Sequence, residues 1–199
     1  MAKNRAILKK LSSVETLGST TVICSDKTGT LTMNEMTARA GWCAGNRFTV
    51  SGEGYVPQGE IHFEQPVPDP RAFFLPMALC TESRVRDGQL IGDPTEGALW
   101  VLAQKHGIEP EYEQDEQPRI AEIPFDSAHK FMATFHRDGD SVRIWLKGAP
   151  DVLLTRSSRW QSIDGEHALD DAARAAFAET NTRFASDALR VLALAGRSI

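Results

Sequence analysis

The sequence predicts an α+β fold, an antiparallel sheet flanked by helices, and three observations carry that expectation. Two alternating segments on either side of Asp138-Gly139 read as an antiparallel hairpin. Asp93-Pro94-Thr95-Glu96 stands before an apolar stretch as a helix start does, with Asp93 as the cap and Pro94 in the first turn. The alanine-rich stretch from Asp170 to Leu189 has helical chemistry, after which Arg190 to Ala195 returns to strand character. A chain of 199 residues, 41% hydrophobic and 25% charged, has the make-up of a soluble globular protein, with room for one large domain or one domain plus a stub.

The remaining elements follow in order. Thr20-Thr21-Val22-Ile23-Cys24-Ser25 is a β-branched apolar run ending in the polar Asp26-Lys27-Thr28-Gly29-Thr30, and it reads as a buried strand feeding a functional loop. Asp26 would then stand at a strand's carboxyl end, where open α/β sheets place their chemistry. Short strands separated by glycine-rich turns are expected from Thr37 to His62, a loop at Pro66 to Pro70, and a helix from Arg71 to Ser83. Gly107 should stop the helix that Asp93 opens, Glu109 to Gln117 should be a solvated acidic connector, and Arg119 to Phe125 and Lys130 to Arg137 read as strands.

Composition excludes several function classes. A net charge of −5 argues against a nucleic-acid partner, because phosphate contacts need a basic face. Cys24, Cys43 and Cys80 are odd in number and widely spaced, which suggests neither a disulfide framework nor a zinc site. The five histidines form no metal-binding pair. No apolar run approaches the roughly 20 residues of a membrane helix. The basic residues 1–10 fit either a solvated terminus or a juxtamembrane cytoplasmic segment.

If Asp138 and Gly139 are the two turn residues, Phe135 faces Val142, Ala133 faces Ile144 and Phe131 faces Leu146 on one side. The other side then sets Met132 against Trp145 and Lys130 against Lys147 at the open end. Like charges directly opposed repel, so this register calls for splayed, solvated lysines or for an anion between them.

The run Glu15 to Thr32, with Asp26-Lys27-Thr28-Gly29-Thr30 at its centre, closely resembles the signature of P-type cation ATPases, particularly calcium and sodium pumps. Gly92-Asp93-Pro94-Thr95-Glu96, Phe125-Asp126-Ser127-Ala128-His129-Lys130, Lys147-Gly148-Ala149-Pro150-Asp151 and Leu189-Arg190-Val191-Leu192-Ala193 resemble further family motifs in the family's order. The resemblance implies a nucleotide-binding domain at 39–192, inserted into a phosphorylation domain of haloacid-dehalogenase type. Residues 1–38 would supply a stalk end and the first strand of that α/β domain, and 193–199 would return towards it.

By resemblance, Asp26 is the nucleophile that accepts the terminal phosphoryl group of ATP, a carboxylate route that splits a hard transfer into two steps. Lys27 and Thr30 would lie near the transferred group, while Asp26 and the Thr28 main-chain carbonyl would hold Mg2+. Hydrolytic relatives carry an aspartate where Thr28 stands, and threonine is a poor general acid, so the phosphoenzyme should be long-lived. The resemblance further implies that Phe125 stacks on adenine, Lys147 and Gly148 line the base site, and Lys130 and Arg190 reach the phosphates. Glu96 has two open roles, a capping-box carboxylate or an acceptor for the base. Phe125 has an alternative as an ordinary strand-end core residue, and Asp151 is expected to cap the helix that follows it.

The family's downstream magnesium aspartates and Thr-Gly-Glu loop are not in this sequence, so the expectation is a cytoplasmic piece of an integral membrane protein that binds ATP without turnover. Its partners would be the rest of the phosphorylation domain, the actuator domain and the membrane helices. Two other classes compete: a self-sufficient haloacid-dehalogenase-type phosphohydrolase, and a non-catalytic nucleotide-binding module.

Overall fold

The computed structural model describes residues 18–199, and the chain divides into two units between Asn34 and Glu35. In the first unit, residues 20–26 are irregular, and Lys27–Leu31 forms a single π-helical turn. Its five-residue bond runs from the Thr32 N–H to the Lys27 carbonyl at 3.2 Å, reinforced by the Thr32 hydroxyl at 3.3 Å. The buried strand expected at Thr20 to Ser25 does not form: Val22 is 74% and Ile23 89% exposed. A β-branched run becomes a strand only when another strand takes its backbone bonds, and no described strand pairs with this one.

The second unit opens with a meander of β1 (Ala40–Cys43), β2 (Asn46–Val50) and β3 (Ile61–Phe63), all antiparallel. Helices α1 (Arg71–Leu79) and α2 (Pro94–Lys105) follow, separated by the hairpin β4 (Arg84–Arg86) and β5 (Gln89–Ile91). Then come α3 (Pro110–Glu116), β6 (Arg119–Asp126), β7 (Phe131–Asp138), β8 (Ser141–Gly148) and α4 (Pro150–Arg156). The hairpin β9 (Arg159–Ser162) and β10 (Gly165–Ala168), the helix α5 (Asp171–Ser186) and β11 (Ala193–Ser198) complete it. The main sheet has the order β11-β8-β7-β6 and is antiparallel throughout, so the α+β expectation holds for this unit.

Helix α1 joins the two sheets. Phe74, Met77 and Ala78 pack with Phe48, Leu102 and Ile108 on the meander side, while Leu79 and Cys80 pack with Met132 and Trp145 on the main sheet. The helix ends four residues before the expected Ser83 because the sheet captures its last carbonyls. The Arg119 guanidinium donates to Leu79 O and Thr81 O, and Lys147 donates to Cys80 O. Carbonyls engaged in this way are unavailable to a further helical turn.

Two more expectations are corrected. Residues 109–117 are not a solvated connector but contain α3, begun by Pro110 at its first position and anchored by the buried Glu113, which receives Arg71 at 2.6 Å. The β7–β8 hairpin turns at Gly139-Asp140, with Asp138 paired to Ser141 and Met132, not Lys130, opposite Lys147. Gly139 takes φ 61° at the first loop position, where a tight hairpin favours glycine. This register differs from the expected one by two residues, which leaves every side chain on its face, so alternation could not tell the two apart.

Candidate functional site

In the first unit Asp26 is exposed and precedes the π-turn that contains Lys27 and Thr30, both exposed as well. The Asp26 carboxylate and the Thr28 main-chain carbonyl are hard oxygen donors of the kind Mg2+ takes, two of the six it requires. Among the described residues no group of three His, Cys, Asp or Glu side chains gathers to complete such a set.

The second unit builds its polar centre from the start of α2. Asp93 accepts from the Thr95 and Glu96 N–H groups at 2.8 and 3.3 Å, which fixes the helix end and turns Glu96 inward. Glu96 does not close a capping box: the Asp93 N–H goes to the Ser83 hydroxyl instead, at 2.8 Å. The Glu96 carboxylate receives Lys147 Nζ at 2.6 Å on Oε1, and the Ser83 hydroxyl at 2.7 Å and Glu82 N–H at 3.0 Å on Oε2. Lys147 also donates to Cys80 O at 2.7 Å.

This ion pair is almost sealed, with side-chain exposures of 7% for Lys147 and 13% for Glu96. Burial pushes the Glu96 carboxyl up, but the Lys147 charge and the bonds from Lys147, Ser83 and Glu82 outweigh it, and the net direction is down. Glu96 is therefore held as an ionised acceptor. The Cys80 thiol beside it is pushed up by burial, against the opposing Lys147 charge.

Next to the pair, β6 carries a bulge between Ile123 and Asp126, so Pro124 and Phe125 together oppose Met132, whose other neighbour is Lys147. Phe125, Met132 and Lys147 thus form one row across three strands. Phe125 is 60% exposed, which removes the reading of it as a core phenylalanine. The chain then turns on Asp126, whose Oδ1 accepts the Ala128 and His129 N–H groups at 2.8 and 3.1 Å. Those two bonds, the His129 one first, hold the Asp126 carboxyl below its usual range.

Lys130 follows with φ 57° and an exposed side chain, and its carbonyl accepts the Ala149 N–H at 2.9 Å. Gly148 is needed here, since a Cβ would stand 2.5 Å from the Lys130 carbonyl oxygen. Lys130 and Lys147 are not facing neighbours, so the opposed ammonium pair that would have called for an anion does not form. Arg190 donates to Thr95 Oγ1 at 3.3 Å, one residue from Glu96.

Of the residues expected in the pocket, Glu96 and Lys147 pair at the start of α2, where Arg190 bonds the neighbouring Thr95, Phe125 lies one strand beyond Met132, and Lys130 and Gly148 meet at the sheet's end. Asp151 lies inside the first turn of α4, whose cap position is Ala149, so it is not the capping residue expected. Sequence reasoning missed Ser83 and Cys80, which contribute through bonds to Glu96, 13 residues away, and to Lys147, 67 residues away, that no spacing signals. A separate cavity of about 600 Å³ lies between the β4–β5 turn, α2 and α3, lined by Arg86, Trp100, Gln104 and Tyr112 among others, and holds none of these residues.

An α+β domain that keeps a carboxylate ionised against a buried lysine, with an exposed aromatic ring two strands away and an arginine held by the residue before the carboxylate, is chemically suited to bind a polar ligand with a flat ring. The sequence profile described as "P-type ATPase, cytoplasmic domain N" matches residues 71–199. The chain belongs to the P-type ATPase family. It is 44% identical over its whole length to the calcium-transporting ATPase of Bacillus subtilis, covering 24% of that protein. It is 39% identical over its whole length to the cation-transporting ATPase pma1 of Synechocystis, covering 23%. Over 98% of its length it is 39% identical to the calcium-transporting ATPase type 2C member 1 of Bos taurus, covering 21%. The chain thus spans about a quarter of these relatives or less. Among the described residues no helix is long and apolar enough to cross a membrane.

Proposed function

We propose that this chain is the ATP-binding, phosphate-accepting cytoplasmic part of a cation-transporting pump. The supporting observation is the ionised Glu96, sealed against Lys147 in a row that ends at the exposed Phe125, with Arg190 one residue from Glu96. In this reading Phe125 stacks on adenine, Glu96 accepts from the base, Lys147 and Gly148 line the base site, and Lys130 and Arg190 reach the phosphates. Phosphoryl transfer needs positioning and charge neutralisation more than covalent assistance, and these residues supply the positioning.

In the parent pump, an Asp26 carboxylate oxygen bonds to the terminal phosphorus as the bond to the bridging oxygen breaks and ADP leaves, with Lys27 and Thr30 beside the moving group. Asp26 and the Thr28 carbonyl would hold Mg2+, whose charge would offset that of the phosphates. With threonine rather than a carboxylate at position 28, no acid or base stands there to hydrolyse the aspartyl phosphate. The rest of the phosphorylation domain, the actuator domain and the membrane helices complete the cycle, and the chain alone binds ATP without turnover.

Calorimetric titration with ATP tests this. Phe125→Ala, at an exposed position where the fold loses little, should weaken binding by about tenfold, since a base–aromatic stack is worth about 1–3 kcal/mol. Equal binding by wild type and Phe125→Ala refutes the pocket. Steady phosphate release from ATP or small phosphomonoesters by the chain alone refutes the absence of turnover.

A further inference from the structure

A glutamate on the first turn of a helix has three side-chain torsions to fix before it can read a base. Here Oε1 meets Lys147, and Oε2 meets the Ser83 hydroxyl and the Glu82 N–H, so described residues occupy three of its roughly four lone-pair sites. Ser83 differs from the other two donors in having a second bond. Its oxygen accepts the N–H of Asp93, the cap of the same helix, at 2.8 Å. The hydroxyl has one proton, and with Asp93 donating to it that proton is directed at Glu96, 2.7 Å away.

The surroundings leave the hydroxyl little freedom. Ser83 is 1% exposed, and its own N–H donates to Thr81 Oγ1 at 3.1 Å. Gly92 approaches so closely that a Cβ there would lie 2.2 Å from the Ser83 oxygen. Ser83 thus ties the segment whose Cys80 carbonyl holds Lys147 to the helix that carries Glu96.

We infer that Ser83 is a positioning residue that sets base selectivity, holding the Glu96 carboxylate as a fixed acceptor and so favouring adenine over guanine nucleotides. This rests on the nucleotide-pocket reading above. Adenine presents an amino donor at its six-position, whereas guanine presents a carbonyl oxygen there. A fixed carboxylate bonds the first and repels the second, which gives discrimination by both attraction and repulsion. A carboxylate free to swing onto Lys147 alone loses much of that distinction.

The test is parallel calorimetric titration of ATP and GTP into the 199-residue chain and its Ser83→Ala variant. The ATP-to-GTP affinity ratio is expected to fall about tenfold, chiefly through weaker ATP binding, as for loss of a bond to a charged group. A role confined to folding would lower both affinities together. Ser83→Cys, slightly larger and with only a weak donor, should shift the ratio in the same direction and carries the test if the alanine variant fails to fold. Combined with Glu96→Gln, Ser83→Ala should lower the ratio no further than Glu96→Gln alone, because the hydroxyl acts through that carboxylate. Additive losses, or a wild-type preference for ATP that survives in the folded Ser83 variants, overturn this inference alone. A wild-type chain that binds neither nucleotide overturns the pocket reading and this inference with it.

Discussion

Replacing Lys147 by methionine keeps most of the aliphatic stem and removes the ammonium from a side chain that is 7% exposed. Glu96 is then a buried carboxylate without its counter-charge. Breaking a buried pair in this way costs about 3–5 kcal/mol, and the lower end applies here because Glu96 keeps its bonds from Ser83 and Glu82. Urea unfolding at pH 7.5 should therefore show a loss of about 3 kcal/mol. The pH dependence is the sharper test. In the wild type the Glu96 carboxyl lies below its usual range, so it contributes stability above the unfolded value that is lost as pH falls through the folded one. Without the lowering influence of Lys147 the carboxyl titrates higher than in the wild type, and protonation relieves more of the burial penalty as pH falls. The stability gap between variant and wild type should narrow from pH 7.5 to 4.5. A gap that stays constant, or a loss below about 1 kcal/mol, would refute the assignment of this pair as a sealed ion pair.

Two further outcomes follow from the main sheet. His136 is 1% exposed, with Nδ1 2.7 Å from Gln117 O, and burial pushes its pKa below the ordinary 6.5, helped by the Arg119 charge and opposed by the Gln117 bond. Its contribution is full above about pH 6.5 and declines as pH falls through that value towards the folded pKa, so His136→Gln should flatten the urea midpoint between pH 7.5 and 5.5. Gly148→Ala forces a Cβ to 2.5 Å from the Lys130 carbonyl oxygen and should cost about 1–3 kcal/mol in thermal or urea unfolding.

Local chemistry made much of the fold legible. Asp93 and Pro94 start α2, Asp170 caps α5 through the Ala173 N–H, and the β7–β8 hairpin forms where an Asp-Gly pair announced it. What escaped depended on partners distant in sequence. The register of Lys130 and Lys147 turned on which two residues make the turn, and pleat alternation is blind to a two-residue shift. The end of α1 was set by Arg119 and Lys147, 40 and 67 residues beyond the carbonyls they hold. Val22 and Ile23 had strand chemistry, but no described strand pairs with them. At the site, residue types at motif positions pointed to Glu96 and Lys147, yet their mutual bond, and the part Ser83 plays in it, are products of packing.

The bulge in β6 also governs how the sheet ends. Among the described residues this strand is an open edge with Ile120 and Ile123 half exposed, the sort of surface onto which a neighbouring molecule's strand could add itself. Pro124 offers no N–H to such a newcomer, and the doubled residue spoils the regular spacing it would need. The irregularity that sets Phe125 on the strand beside Met132 therefore also makes this edge a poor template for an added strand.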